Sequence, residues 1–137
     1  MCSSDLALAG ELGIASRIHF EGVQKQTARY YAAADVFVMA SLYEPFANAS
    51  LEALAMGLPM ITSTKSGAAE ILEHGKTGYV CDALDVAGFS SAIDALANRE
   101  RRLAMGVAAR QIAEGFSVEA MTTRLLDLYR RLMTPSA

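Results

Sequence analysis

Two glutamates, Glu44 and Glu52, stand with seven residues between them around the start of a helix-forming run, Asn48-Ala49-Ser50-Leu51-Glu52-Ala53-Leu54-Ala55-Met56. Gly57 and Pro59 close that run, glycine as a C-terminal cap and proline as a residue that cannot continue a helix. The first-turn amides of such a helix have no intrahelical partners and carry partial positive charge, so they suit a phosphate. Glu44 sits just before this anion site, and Glu52 lies one turn inside the helix. A carboxylate only accepts hydrogen bonds, so beside a bound anion it must engage hydroxyl or amine donors. The vicinal hydroxyls of a sugar or a ribose meet that requirement. The residues therefore read as a site for a phosphate flanked by polyols, which is the chemistry of a nucleotide sugar. For an isolated glutamate pair the plainer reading is a solvated Glu44 and a Glu52 that merely favours the helix start, so the surrounding elements must decide.

Those elements alternate strand and helix. Leu6, Leu8, Ala9 and Leu12 fall at helical spacing and Gly13 ends the helix. Residues 17–21 alternate polar and apolar and predict a strand ending at Gly22. Residues 25–34 predict a helix through Ala28, Tyr31 and Ala32. The apolar run 36–39 predicts a strand covered on both faces. After the loop 41–47 comes the helix 48–56, with a stripe of Leu51, Leu54 and Ala55. Pro59 opens a strand over 60–62, and a short helix over 67–73 leads to a turn at 74–78. A last strand covers 79–81. Helices are expected over 86–97, 99–113 and 118–132, with Ser117 as N-cap of the last. This order implies an α/β fold, a Rossmann-like parallel sheet with helices on both faces and a helical C-terminal tail. In such sheets ligands bind outside the carboxyl ends of the strands, here the loops 22–26, 40–48 and 63–68.

Composition excludes several classes. The 137 residues are 53% hydrophobic and 20% charged with a formal charge of −3, which is not the signature of a disordered chain. Twelve Lys and Arg against fifteen Asp and Glu leave no basic excess for nucleic acid. The two cysteines, Cys2 and Cys81, form neither a disulfide framework nor a zinc site, which suits a reducing compartment. The apolar stretches break well before the roughly 18 residues of a membrane span. Residues 1–5 have neither a basic nor an apolar leader region, so a cytoplasmic location is expected. An abrupt helix after those residues suggests a junction foreign to the domain and a chain cut from something longer.

The run from Glu44 to Pro59, with its Ala-Leu-Ala-Met-Gly-Leu-Pro end, resembles the nucleotide-sugar signature of the family 4 glycosyltransferases and their GT-B-fold relatives. Phe20-Glu21-Gly22, Tyr31 with Ala34-Asp35, Gly67-Ala68-Ala69-Glu70-Ile71 and Gly75-Lys76-Thr77-Gly78 resemble further family segments in order. The likeness covers about residues 6–132. It implies residues 6–115 as part of the carboxyl-terminal donor-binding domain, its first strands missing, and 116–137 as C-terminal helix and tail. It implies that Glu44 orients the donor sugar through its hydroxyls and is the catalytic residue. The amides of Phe46, Ala47, Asn48 and Ala49 would line sugar and diphosphate. Ser50 would add a hydroxyl to phosphate, Glu52 would hold the ribose, and Val23 would pack on the base. The resemblance further implies retaining transfer from a UDP-, GDP- or ADP-sugar without a metal or cofactor in the donor site. The acceptor would be a glycan or lipid-linked molecule bound through an N-terminal domain, and a peripheral membrane association of the full-length enzyme is left open. The basic residues that clamp the diphosphate would lie upstream of Met1. A chain lacking those strands is expected to fold poorly alone.

Three positions depart from the family pattern: Ala47 stands where glycine is usual, Ala40 where proline is common, and Ala68 where a second glycine is common. Two rivals remain: a GT-B-fold sugar-nucleotide epimerase or phosphorylase, and a non-catalytic nucleotide-sugar-binding module. A phosphorylase needs a pyridoxal-phosphate lysine, for which no candidate stands out. Other residues read as structural: His19 as a partly buried strand histidine, His74 as a cap or solvated group, Cys81 as core and Lys65 as a solvated loop lysine. Val118, Met121, Leu125, Leu128 and Leu132 form a stripe expected to pack against a domain, with a membrane-surface helix as the lesser reading.

Overall fold

A computed structural model describes residues 3–133; Met1, Cys2 and residues 134–137 lie outside the described residues. The elements are α1 (Ser3–Glu11), α2 (Ala28–Ala33), β1 (Phe37–Met39), α3 (Asn48–Ala55), β2 (Met60–Ser63), β3 (Gly78–Cys81), α4 (Val86–Ala97), α5 (Arg99–Glu114) and α6 (Val118–Met133), with short 3-10 turns at Ala15–Arg17 and Gly67–Glu70. The three strands form a parallel sheet in the order β1-β2-β3. Val38 pairs with Ile61, and Ile61 in turn with Tyr79.

Strand alternation sends successive β2 side chains to opposite faces, and both faces are covered. Ile61 and Cys81 pack with Ala92 and Leu96 of α4 and Met105 of α5. Met60 packs with Leu54 of α3, Ala68 and Ala109 of α5. Every β2 residue is consequently buried. Helix α3 is also pressed against α5, where the Gly57 carbonyl oxygen would lie 2.2 Å from a Cβ on Gly106. This double contact rotates α3 from the predicted stripe. Its buried residues are Ser50, Ala53 and Leu54, while Ala55 faces solvent. Small side chains at 50 and 53 let the helix sit close to its neighbours.

Four expectations need correction. Residues 17–21 are not a strand: a 3-10 turn ends at Arg17, and the exposed segment after it has no ladder partner among the described residues. Alternation can propose a strand, but only pairing makes one. Helix α2 starts at Ala28 rather than 25: the Thr27 carbonyl accepts from the Tyr31 N–H at 3.2 Å, with Thr27 at the N-cap position and no side-chain cap hydrogen bond. The 67–73 helix is one 3-10 turn, Gly67–Glu70, capped where the Ala68 N–H donates to the Ser66 hydroxyl at 3.3 Å. Strand β1 is covered on one face rather than both: Phe37 and Met39 pack with the Leu54 and Met60 cluster, while Val38 on the opposite face is 45% exposed.

The carboxyl-terminal half follows the sequence closely. Asp85, Asn98 and Ser117 accept from the N–H groups of Gly88, Arg101 and Ala120 at 2.9, 2.9 and 3.2 Å, capping α4, α5 and α6. Arg102 donates to the Leu96 carbonyl at 2.8 Å and pairs with Asp35 at 3.1 Å, tying the end of α4 to the approach to β1. The apolar stripe of α6 is exposed, with no buried residue on that helix. His74 proves to be a pin for β3, accepting the Val80 N–H on Nδ1 at 3.1 Å with its ring edge-on to Tyr79. His19 is exposed rather than partly buried. Cys81 is core, and burial raises its thiol pKa. No helix of the described residues is long and apolar enough to cross a membrane.

Candidate functional site

The loop after β1 is held from β2. The buried Thr62 and Ser63 hydroxyls donate to the carbonyls of Met39 and Ser41 at 3.3 and 2.6 Å. Farther along, the Glu44 N–H donates to the Lys65 carbonyl at 3.2 Å, and the Gly67 N–H donates to the Glu44 carbonyl at 2.8 Å. Glu44 is thus fixed by its backbone on both sides, at the carboxyl end of the sheet, with its side chain half-buried. The room for this pairing comes from Gly67. A Cβ there would lie 1.7 Å from the Pro45 oxygen and 3.1 Å from the Phe46 Cβ. Phe46 stacks on Phe116 with ring centres 6.5 Å apart, and the Arg124 guanidinium lies 5.6 Å from the Phe116 ring centre.

Helix α3 begins immediately after this loop. Its N-cap is Ala47, in extended backbone (φ −78°, ψ 131°), with no side-chain cap. Alanine adopts that conformation freely, so the departure from glycine brings no backbone strain. An alanine N-cap supplies no oxygen to the first-turn amides, which stay open to an external acceptor. The Ser50 N–H is the exception, closing back on the Ala47 carbonyl at 2.9 Å. The Ser50 hydroxyl is also turned away: the residue is 0% exposed and its Oγ lies 3.8 Å from the Met39 sulfur. The phosphate role expected of that hydroxyl is therefore corrected, because the rotation of α3 points Ser50 into the core.

The two glutamates face different hollows. Glu44 lines one of 420 Å³ with Tyr43, Thr64, Lys65, Ser66 and Glu70. Glu52, exposed on α3, borders one of 280 Å³ with Thr27, Tyr31 and Met56, and a second of 370 Å³ with Arg110, Phe116 and Val118. The first turn of α3 separates them along the chain. Lys65 is exposed as expected, but its side chain shares the Glu44 hollow. Val23 is 100% exposed and lines neither glutamate's hollow. Among the described residues no group of three or more His, Cys, Asp and Glu could hold a metal ion.

Sequence reasoning missed the partners of Glu52. The Thr27 hydroxyl lies 3.5 Å from Glu52 Oε2. Tyr31, one helical turn on, keeps its phenol protonated above the ordinary range, through burial first and then through the Glu52 carboxylate beside it. A threonine and a tyrosine four residues apart share one helix face, and that spacing was the available signal.

The family described as Glycosyl transferases group 1 matches residues 3–99. The lipopolysaccharide core biosynthesis glycosyltransferase LpsE of Rhizobium meliloti (strain 1021) is 36% identical over 123 residues, covering 88% of this chain and 36% of that protein. Among solved structures, sucrose-phosphate synthase (tll1590) from Thermosynechococcus elongatus superposes with a TM-score of 0.82 at 32% identity, over 92% of this chain and 33% of that one. Anabaena Alr3699/HepE, solved in complex with UDP, shares the fold with a TM-score of 0.85 at 23% identity, over 93% of this chain and 36% of its own. The chain spans about a third of the length of these relatives.

Proposed function

This chain belongs to the group 1 glycosyl transferases, and on that footing we propose that the mouth of α3 binds the diphosphate of a nucleotide sugar, the donor of a retaining transfer. The observation that carries this reading is the uncapped first turn of α3, set between one backbone-fixed carboxylate and a second that faces another hollow. The amides of Ala47, Asn48 and Ala49 would receive the diphosphate oxygens. Negative charge develops on that diphosphate as the glycosidic bond breaks, and fixed amide dipoles stabilise it without reorganising. Glu44 would accept from the sugar hydroxyls and hold the anomeric carbon in a reactive geometry. Glu52 would accept from the ribose hydroxyls.

The donor would be a UDP-, GDP- or ADP-sugar bound without a metal ion, and the acceptor a glycan or lipid-linked molecule held by parts of the protein beyond these residues. The cytoplasm is the proposed location, in keeping with the free Cys81 thiol. Calorimetric titration with UDP-, GDP- and ADP-sugars in the presence of EDTA tests the reading. One of the three is expected to bind at a single site, more tightly than inorganic pyrophosphate. Failure of all three to bind, while pyrophosphate does, would reduce the site to a simple anion cradle.

A further inference from the structure

Resting on the reading of Glu52 as the ribose ligand, we propose that Tyr31 and Thr27 of the α2 segment are positioning residues that hold the Glu52 carboxylate toward the nucleotide. Thr27 occupies the N-cap position of α2, yet its side chain makes no cap hydrogen bond. Its hydroxyl instead lies 3.5 Å from Glu52 Oε2, across 25 residues of sequence. Its backbone is helical (φ −62°, ψ −31°) rather than in the extended conformation that a side-chain cap needs, so the hydroxyl is free for that contact. Tyr31, one turn on, lines the same hollow as Glu52, and its ring is fixed edge-on against Phe37 of β1, centres 5.9 Å apart at 67°. Thr27, Tyr31 and Glu52 line one hollow of 280 Å³. The phenol, with its pKa raised by burial and by Glu52, stays a donor at neutral pH.

The match of donors to acceptors gives the arrangement its purpose. An ionised carboxylate offers about four lone-pair sites. The Thr27 hydroxyl takes one, the Tyr31 phenol in the same hollow is a second donor for the carboxylate, and two sites are then left for a vicinal diol. An exposed glutamate without these donors would lose rotamer freedom on binding, which weakens the bond it makes to ribose. Held by α2, it meets the ribose already oriented. Glu52 therefore reads the ribose more selectively while Tyr31 and Thr27 keep their hydroxyls.

The test compares affinities for a ribonucleoside diphosphate (UDP, GDP or ADP, whichever binds) and for its 2′,3′-dideoxy form. Wild type is expected to prefer the ribonucleotide. Tyr31→Phe, which keeps the ring on Phe37, is expected to lower that preference about fivefold, the loss of one hydrogen bond to a charged group, with dideoxy affinity unchanged. Thr27→Val should lower it about twofold, and carries the test if Tyr31→Phe fails to fold. Loss of preference in Glu52→Gln with full preference retained in Tyr31→Phe and Thr27→Val would overturn the positioning role and leave the ribose reading intact. An equal fall in affinity for both nucleotides in Tyr31→Phe would overturn it as well, marking the tyrosine as a packing residue. A wild type that does not distinguish the two nucleotides would overturn the ribose reading itself, and this inference with it.

Discussion

Gly67→Ala is expected to lower the melting temperature by roughly 10 °C, about 3 kcal/mol of stability, and to abolish donor binding. The methyl would sit 1.7 Å from the Pro45 carbonyl oxygen and 3.1 Å from the Phe46 Cβ, and the first of these is backbone that no rotamer change can clear. The loop must move, and with it goes the 2.8 Å hydrogen bond from the Gly67 N–H to the Glu44 carbonyl. Steric overlap and the broken backbone pair add in the same direction. Because the same movement displaces Glu44 and Ala47, stability and affinity fall together. Thermal denaturation followed by circular dichroism, with calorimetry on the surviving fold, measures both. An alanine variant that melts and binds like wild type would show that the 44–47 loop is not held by this contact.

Glu44→Gln acts on the chemistry rather than the fold. The backbone of residue 44 makes its contacts to Lys65 and Gly67 through N–H and carbonyl groups, which the substitution leaves in place. The amide keeps the size of the side chain but loses its charge and one acceptor oxygen. In a protein in which this segment is completed to the length of its relatives, kcat is expected to fall about 10²- to 10³-fold, the cost of one hydrogen bond that tightens in the transition state. KM for the donor should change little. Steady-state kinetics with the donor varied separates the outcomes. A rise in KM with kcat unchanged would make Glu44 an affinity residue and remove it from the reaction.

What the sequence disclosed, and what it hid, divides along the range of the forces involved. The caps at Asp85, Asn98 and Ser117 and the periodic runs of α4 to α6 are local, and the structure places those helices within two residues of expectation. The strands at 60–63 and 78–81 were legible because proline, glycine and continuous apolar runs mark them. Residues 17–21 carried an equally good alternation, yet strand formation depends on a partner that local pattern cannot supply. The site shows the same division. The α3 start and its flanking glutamates could be read from spacing alone. The inward turn of Ser50 could not, because it follows from α3 packing against both the sheet and α5. Nor could the approach of Thr27 and Tyr31 to Glu52, since their spacing looks like ordinary helix packing until α2 and α3 are placed side by side. The open stripe of α6 was legible as amphipathic, though its pattern did not say what would cover it.

Amide chemical-shift mapping of the 15N-labelled chain with a UDP-, GDP- or ADP-sugar examines the mouth of α3 atom by atom. The account predicts that the Asn48 and Ala49 amides move most, in the direction of a hydrogen bond to an anionic oxygen, with Glu44 and Glu52 shifting beside them. Saturable binding that leaves those two amides where they were, and moves residues elsewhere, would contradict it.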